Sequence, residues 1–282
     1  MRFQIGDGEL HLVSDGVAWS DAGGVFGVVP RALWEHVAEP DAHNRVPMSM
    51  DCLLIRVDGR VIIVDTGLGD KLTPKGMDIW GIERPEGGLV DSLRREGIAP
   101  EDIDVVVNTH LHADHCGGNT TRRGDAIVPT FPNAEYWVQR LEYADAAFPN
   151  ERTCATYLPE NFVPLYESGH IRLVDGETEL APGVRCVVTP GHTRAHQSVV
   201  IERGGQAALY TGDMTTFAVH FERLAWMTAY DVEPLVNLET KRTWQRWALA
   251  HKGLILLPHD TRMPAGYLTA GQNGKPRMTG CK

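Results

Sequence analysis

The sequence predicts a single α/β domain over residues 1–282, and three observations carry that reading. Candidate strands and helices are interspersed along the whole chain, no linker or composition shift divides it, and its spacings show no internal repeat. With 43% apolar and 23% charged side chains, 282 residues can also build a substantial core.

In order, residues 9–16 alternate and then break at a turn, which predicts a half-buried strand. Residues 18–50 hold Gly23, Gly24, Gly27, Pro30, Pro40 and Pro47 around Phe26 and Trp34, and read as a long loop with one short helix near 31–37. The β-branched runs 51–57 and 61–65 flank Asp58-Gly59-Arg60 and predict a hairpin. Residues 68–87, rich in Gly, Pro and Lys with Trp80 embedded, read as irregular; Leu89, Leu93 and Ile98 then support a helix over 89–96. A buried strand follows at 104–108. Further strands are predicted at 135–138, 171–174, 184–189, 197–202 and 207–210, with helices at 139–147 and 235–251. The later helix has Pro234 at its start and Gly253 after its end, with Leu235, Leu238, Trp244 and Trp247 near one face, the two tryptophans as core. A last buried strand is predicted at 253–258, and the chain after His259 reads as a short loop.

The chain carries 27 basic and 37 acidic side chains, a formal charge of −10, and no block of Lys or Arg. Electrostatic binding to nucleic acid or to an anionic membrane is therefore not expected, and a small neutral substrate is. The longest apolar runs, 105–107 and 254–257, fall far short of the roughly 20 residues of a membrane span. Residues 1–7 bring a charge without an apolar stretch behind it, so a cytoplasmic location is the expectation. The five cysteines form no CxxC pair, which argues against a disulfide framework and a thiolate zinc cluster.

Chemistry concentrates where the strand at 104–108 ends. His110 and His112 alternate on one side of the emerging chain, and Asp114 and His115 follow within one turn. Neutral imidazole with carboxylate suits zinc, manganese or iron in a site open to substrate. Further on, His192, Asp213 and His259 each follow a predicted strand, so they are expected at one rim of a sheet. Asp260 and His196 read as hydrogen-bonding neighbours. His220 is read either as reaching a substrate or as an ordinary satisfied histidine.

The run His110, His112, Asp114, His115 resembles the HxHxDH motif of the metallo-β-lactamase superfamily, and His192, Asp213 and His259 match the remaining ligands in order. Asp65, in Val64-Asp65-Thr66-Gly67, resembles the aspartate that supports the histidine loop in that family. The resemblance spans about residues 50–260. It implies an αββα sandwich, two mixed sheets packed face to face with helices outside. It also implies two divalent ions, zinc first, with manganese, iron or cobalt as alternatives. One would take His110, His112 and His192, the other Asp114, His115 and His259, with Asp213 between them. A hydroxide shared by the two ions would be the nucleophile, and Asp114 would orient it as the catalytic carboxylate.

Within the superfamily, the missing basic face argues against a nuclease, His115 against single-iron dioxygenases, and the short C-terminus against glyoxalase-type thioesterases. The segments 25–30 and 50–55 and an insertion between Leu68 and Gly88 resemble the branch of N-acyl homoserine lactone lactonases and methyl parathion hydrolase-like enzymes. One departure is Thr216, where those lactonases have a tyrosine. The implied activity is hydrolysis of lactones or esters, with promiscuous action on phosphotriesters. The alternatives are an organophosphate hydrolase proper and a non-catalytic sensor of a small ligand. Phe26, Trp80, Thr216, His220, Trp226 and Met227 are the candidate substrate-binding residues, with core packing the equal alternative for Phe26, Trp80, Trp226 and Met227. A homodimer is compatible with apolar surface loops.

Overall fold

A computed structural model describes residues 1–271 and 274–281. Within them two seven-stranded sheets lie face to face, each with its strands in chain order. The first holds Arg2–Ile5, Gly8–Asp21, Arg45–Val57, Arg60–Val64, Val105–Val107, Glu135–Gln139 and Ile171–Val174. The second holds Thr178–Ala181, Val184–Val188, Gln197–Arg203, Gln206–Tyr210, Leu254–Leu256, Ala265–Ala270 and Pro276–Gly280. Both are mixed. Pairing in the first is antiparallel as far as Arg60–Val64 and parallel beyond it, while the second has one parallel pair, Gln206–Tyr210 with Leu254–Leu256. A parallel neighbour needs a crossover, and the helices Leu89–Arg95, Arg140–Ala147 and Pro234–His251 lie in such crossovers.

The alternation of a strand decides which side chain enters which layer. Leu53, Ile55, Ile62, Val64, Val105 and Val107 of the first sheet share one buried cluster with Cys186, Val199, Ile201, Ala208, Tyr210, Leu254 and Leu256 of the second. The residues between them point outward: Leu54, Ile63 and Val106 pack under Leu89 and Leu93, and Val200, Leu209 and Ile255 under Ala248, Trp244 and Trp247. Strands buried on both faces must be apolar throughout, which explains the unbroken runs in the sequence. The result is the αββα sandwich.

The structure corrects the early segment. Residues 18–50 are largely ordered: the strand Gly8–Asp21 runs 14 residues and pairs with Arg45–Val57 from Glu9↔Arg56 to Asp21↔Arg45. Its register shifts between Ser14 and Val17, where Gly16 takes a φ of 119°, the bulge that interrupts the alternation. The helix expected near 31–37 is Arg31–Trp34, preceded by Ala22–Phe26, whose N-terminus Asp21 caps by accepting from Gly23 N at 2.8 Å. Within 68–87, Pro74–Trp80 is helical behind the cap Thr73. After His259 the chain is not a loop but the hairpin Ala265–Ala270 with Pro276–Gly280, which completes the second sheet. No helix among the described residues is long and apolar enough to cross a membrane.

Candidate metal centre

The rim beyond the strand ends collects the polar groups. The chain leaves Val105–Val107, delivers His110 and His112, and turns into the short helix Ala113–Cys116 with Asp114 and His115. His192 follows Val184–Val188, Asp213 follows Gln206–Tyr210, and His259 follows Leu254–Leu256. Three groups form, each with ligand atoms within 4.8 Å of one another: His110, His112 and His192; His110, His115 and Asp213; Asp114, His115 and His259. The Asp213 carboxylate lies between them. Its Oδ2 is 3.3 Å from His192 Nε2, and its Oδ1 is 3.0 Å from His259 Nε2 and 3.5 Å from His115 Nε2.

The far nitrogens of the rings fix what the near ones can do. His115 Nδ1 donates to Asp65 Oδ2 at 2.9 Å, His192 Nδ1 to Asp231 Oδ1 at 2.9 Å, and His259 Nδ1 to the Ser49 carbonyl at 2.7 Å. The Thr109 hydroxyl gives its proton to Asp65, so at 3.0 Å it accepts from His110 Nδ1. All four rings are thereby set with the Nε2 lone pair turned into the cluster. His259 Nε2 stands 3.0 Å from His115 Nε2, and His192 Nε2 3.1 Å from His112 Nδ1. With their Nδ1 protons placed elsewhere, the His115 and His259 lone pairs repel unless a cation lies between them. The buried His110 Nε2 and Asp213 Oδ1 have no hydrogen-bond partner. This donor set fits divalent cations.

The electrostatics agree. Burial drives the His110 and His112 pKa values well below the usual imidazole range, and neighbouring imidazoles add to the effect. Burial acts the same way on His115, His192 and His259, but the surrounding carboxylates together outweigh it and raise theirs, Asp213 foremost, with Asp65, Asp114 and Asp231. Asp213 in turn, despite burial, is held well below the carboxylate range by His259, His115 and His192. The pocket calls for positive charge.

Two carboxylates orient these rings. Asp65 sits immediately after Arg60–Val64 with a φ of 61° and accepts from Thr109 N at 2.8 Å, the Thr109 hydroxyl at 2.9 Å and His115 Nδ1. Asp231, absent from the sequence reading, does the same for His192 and is itself held by Asn237 Nδ2 at 2.7 Å and the Thr228 hydroxyl at 3.0 Å. No motif spacing marks Asp231, because it joins the site through space across a loop. His196 accepts from Asp213 N at 2.9 Å, and Asp260 accepts from Ala218 N, Arg262 N and Met263 N. Gly118 lets the histidine loop close: a Cβ there would stand 2.2 Å from the Thr66 carbonyl oxygen.

A cavity of 450 Å³ opens onto Asp114, His112, His192 and Asp213. Trp19, Val25, Met48, Ile79 and Trp80 give it an apolar wall, and Asp21, His43, Arg45, Thr216 and Tyr230 are among its polar features. Of the six candidate substrate-binding residues, Trp80 and Thr216 line it. Phe26 does not: it is fully buried and stacks on Trp34 with centroids 4.9 Å apart, because the capped helix Ala22–Phe26 turns the ring inward. His220 is likewise buried, parallel to Phe217 at 5.6 Å, with neither ring nitrogen hydrogen-bonded. Trp226 and Met227 lie with it behind the cavity wall, where Lys241 Nζ donates to the carbonyls of Trp226 and His220. Trp19, Val25, Met48, Ile79 and Tyr230 are among the lining residues that sequence reasoning missed. Trp19 sits on a strand end read as loop, Ile79 on a helix read as irregular, and Tyr230 in a loop brought over from the far side of the rim.

Fold and rim together define an αββα sandwich with a candidate metal site at one edge, and comparison with known proteins identifies its family. The model of the metallo-β-lactamase superfamily matches residues 46–227, and the chain belongs to that superfamily. An N-acyl homoserine lactonase of a Bacillus species is 29% identical over 225 residues, 76% of this chain and 82% of that protein. Among solved structures, a probable metal-dependent hydrolase from Staphylococcus aureus aligns with a TM-score of 0.89 and 27% identity over 99% of this chain and 100% of that one. An N-acyl homoserine lactone hydrolase, solved with N-hexanoyl-L-homoserine at its catalytic metal centre, aligns with a TM-score of 0.70 and 25% identity over 92% and 95%. This chain is a lactonase-like metallo-hydrolase.

Proposed function

We propose that the protein hydrolyses lactones and esters, N-acyl homoserine lactones foremost, with two zinc ions. In this reading His110, His112 and His192 hold one ion, Asp114, His115 and His259 the other, and Asp213 contributes an oxygen to each. The observation that carries it is the set of four imidazoles whose outer hydrogen bonds aim every Nε2 lone pair into one small volume. Bound there, divalent zinc supplies a nucleophile from water at neutral pH and polarises the carbonyl under attack. The protein's own part is positioning. Asp114 is the partly exposed carboxylate facing the cavity, placed to accept the proton of the attacking water and hold it in line with the ester carbon. The walls of Trp19, Val25, Met48, Ile79 and Trp80 exclude water and offer an acyl chain an apolar bed. Thr216 and Tyr230 bring hydroxyls to the same space, where a small neutral substrate presents its carbonyl and amide. The aromatic surfaces of Trp19 and Trp80 favour phosphotriesters as a second substrate class.

The test is metal content per chain together with turnover of N-hexanoyl homoserine lactone, an aryl ester and paraoxon by the purified protein. Two zinc ions with lactone hydrolysis foremost is the expected result. Two ions without turnover of any of the three would reject this substrate assignment.

A further inference from the structure

Glu142 lies in the first turn of the helix Arg140–Ala147, is 1% exposed, and pairs with no Lys or Arg among the described residues. Its Oε1 accepts from Leu111 N at 3.0 Å and from the Tyr157 hydroxyl at 3.0 Å, and its Oε2 accepts from the Thr193 hydroxyl at 2.5 Å. Every one of these partners leads to the same three rings. Leu111 is the residue between His110 and His112, Thr193 follows His192, and the Tyr157 ring packs on His112 with centroids 5.1 Å apart. The remaining group has separate supports, Asp65 on His115 and the Ser49 carbonyl on His259.

We infer that Glu142 is a positioning residue that clamps the 109–112 and 189–193 loops together, setting the three-histidine position without touching the Asp114, His115 and His259 position. The inference rests on the two-ion reading of the site. A carboxylate suits the task because all three partners donate, and it alone accepts from all of them with no hydrogen of its own to place. Glutamine would turn an N–H₂ toward one of them.

The experiment is metal titration of the full chain, stripped and reloaded with Co²⁺ under a competing chelator, followed by visible absorption and metal content, for wild type, Glu142→Gln and Asp65→Asn. Glu142→Gln is expected to weaken one of the two binding events by about tenfold and leave the other unchanged. Asp65→Asn is expected to weaken both, because its carboxylate supports His115 directly and His110 through the Thr109 hydroxyl. Equal weakening of both events, or of neither, by Glu142→Gln overturns the clamp. Tyr157→Phe deletes one hydroxyl and keeps the ring, and it provides the same comparison at smaller amplitude if Glu142→Gln does not fold. If wild type binds one ion only, the two-ion reading fails by itself, and the clamp then stands or falls on whether Glu142→Gln weakens that ion.

Discussion

Replacing Asp65 by asparagine tests the logic of the site at one atom. Asp65 is 2% exposed and adopts a φ of 61°, a region asparagine tolerates better than most residues, so the exchange changes charge and acceptor count with little backbone strain. Its carboxylate receives three donors: Thr109 N, the Thr109 hydroxyl and His115 Nδ1. The asparagine amide can accept on one oxygen only, so at least one buried donor meets an N–H₂. An unsatisfied buried donor costs about 1–3 kcal/mol. If His115 answers by turning its proton to Nε2, the lone pair that points into the cluster is lost. Support of this kind accounts for about 10- to 100-fold in metal affinity, or about 1.4–2.8 kcal/mol. Asp65→Asn should therefore lower stability by about 1–3 kcal/mol without metal and cost about as much again in binding. Denaturant unfolding of the stripped protein and chelator competition measure the two separately. Wild-type stability with wild-type metal affinity would refute the claim that Asp65 sets the His115 tautomer.

Asp213→Ala should remove at least one ion and lower lactone turnover by orders of magnitude, since both carboxylate oxygens face ring nitrogens; full metal content with full activity would reject the assignment. His220, which burial holds neutral with a pKa near 3, is depressed from its ordinary 6.5, so its contribution to stability is present above pH 6.5 and fades as the pH falls toward 3. His220→Phe should therefore flatten the loss of stability between pH 6.5 and 4 by about 1.4 kcal/mol per pH unit, read from denaturation midpoints, and an unchanged slope contradicts it. Trp80→Ala, in the cavity wall, should reduce kcat/KM for a long-chain acyl lactone about tenfold more than for a short-chain one; equal losses for both would remove Trp80 from the acyl bed.

What the sequence revealed follows from locality. The central strands announce themselves because burial on both faces forces runs such as Val105-Val106-Val107. His110, His112, Asp114 and His115 are equally plain, since one strand end and one helical turn bring them together within six residues. Three features were hidden because they depend on partners distant in sequence. Residues 18–21 and 45–50 carry polar residues and Pro47 and flank a stretch rich in Gly and Pro, yet they pair with each other, Trp19 opposite Pro47. Asp231 meets His192 across 39 residues. Phe26 and Trp226 are indistinguishable in sequence from pocket residues, and only the docking of Ala22–Phe26 on the sheet decides that they pack in the core.

The misread segment matters more than its length suggests. The rim joins the two sheets: His110, His112 and His115 arrive from the first, and His192, Asp213 and His259 from the second. Cross-sheet hydrogen bonds hold that junction, Gln197 N to the Thr109 carbonyl at 2.9 Å and the Tyr210 hydroxyl to the Asp51 carbonyl at 2.8 Å. The N-terminal half of Arg45–Val57 belongs to the same seam, with Ser49 N donating to the His259 carbonyl at 3.0 Å while the Ser49 carbonyl accepts from the His259 ring. The same stretch and its partner strand also supply Trp19 and Met48 to the cavity. One pair of long strands thus fixes a ring of the metal centre with its backbone and shapes the substrate wall with its side chains. Side-chain exchanges at Trp19 or Met48 can then change which acyl group fits without moving the Ser49 carbonyl, so substrate preference and metal geometry are separable on the same strands.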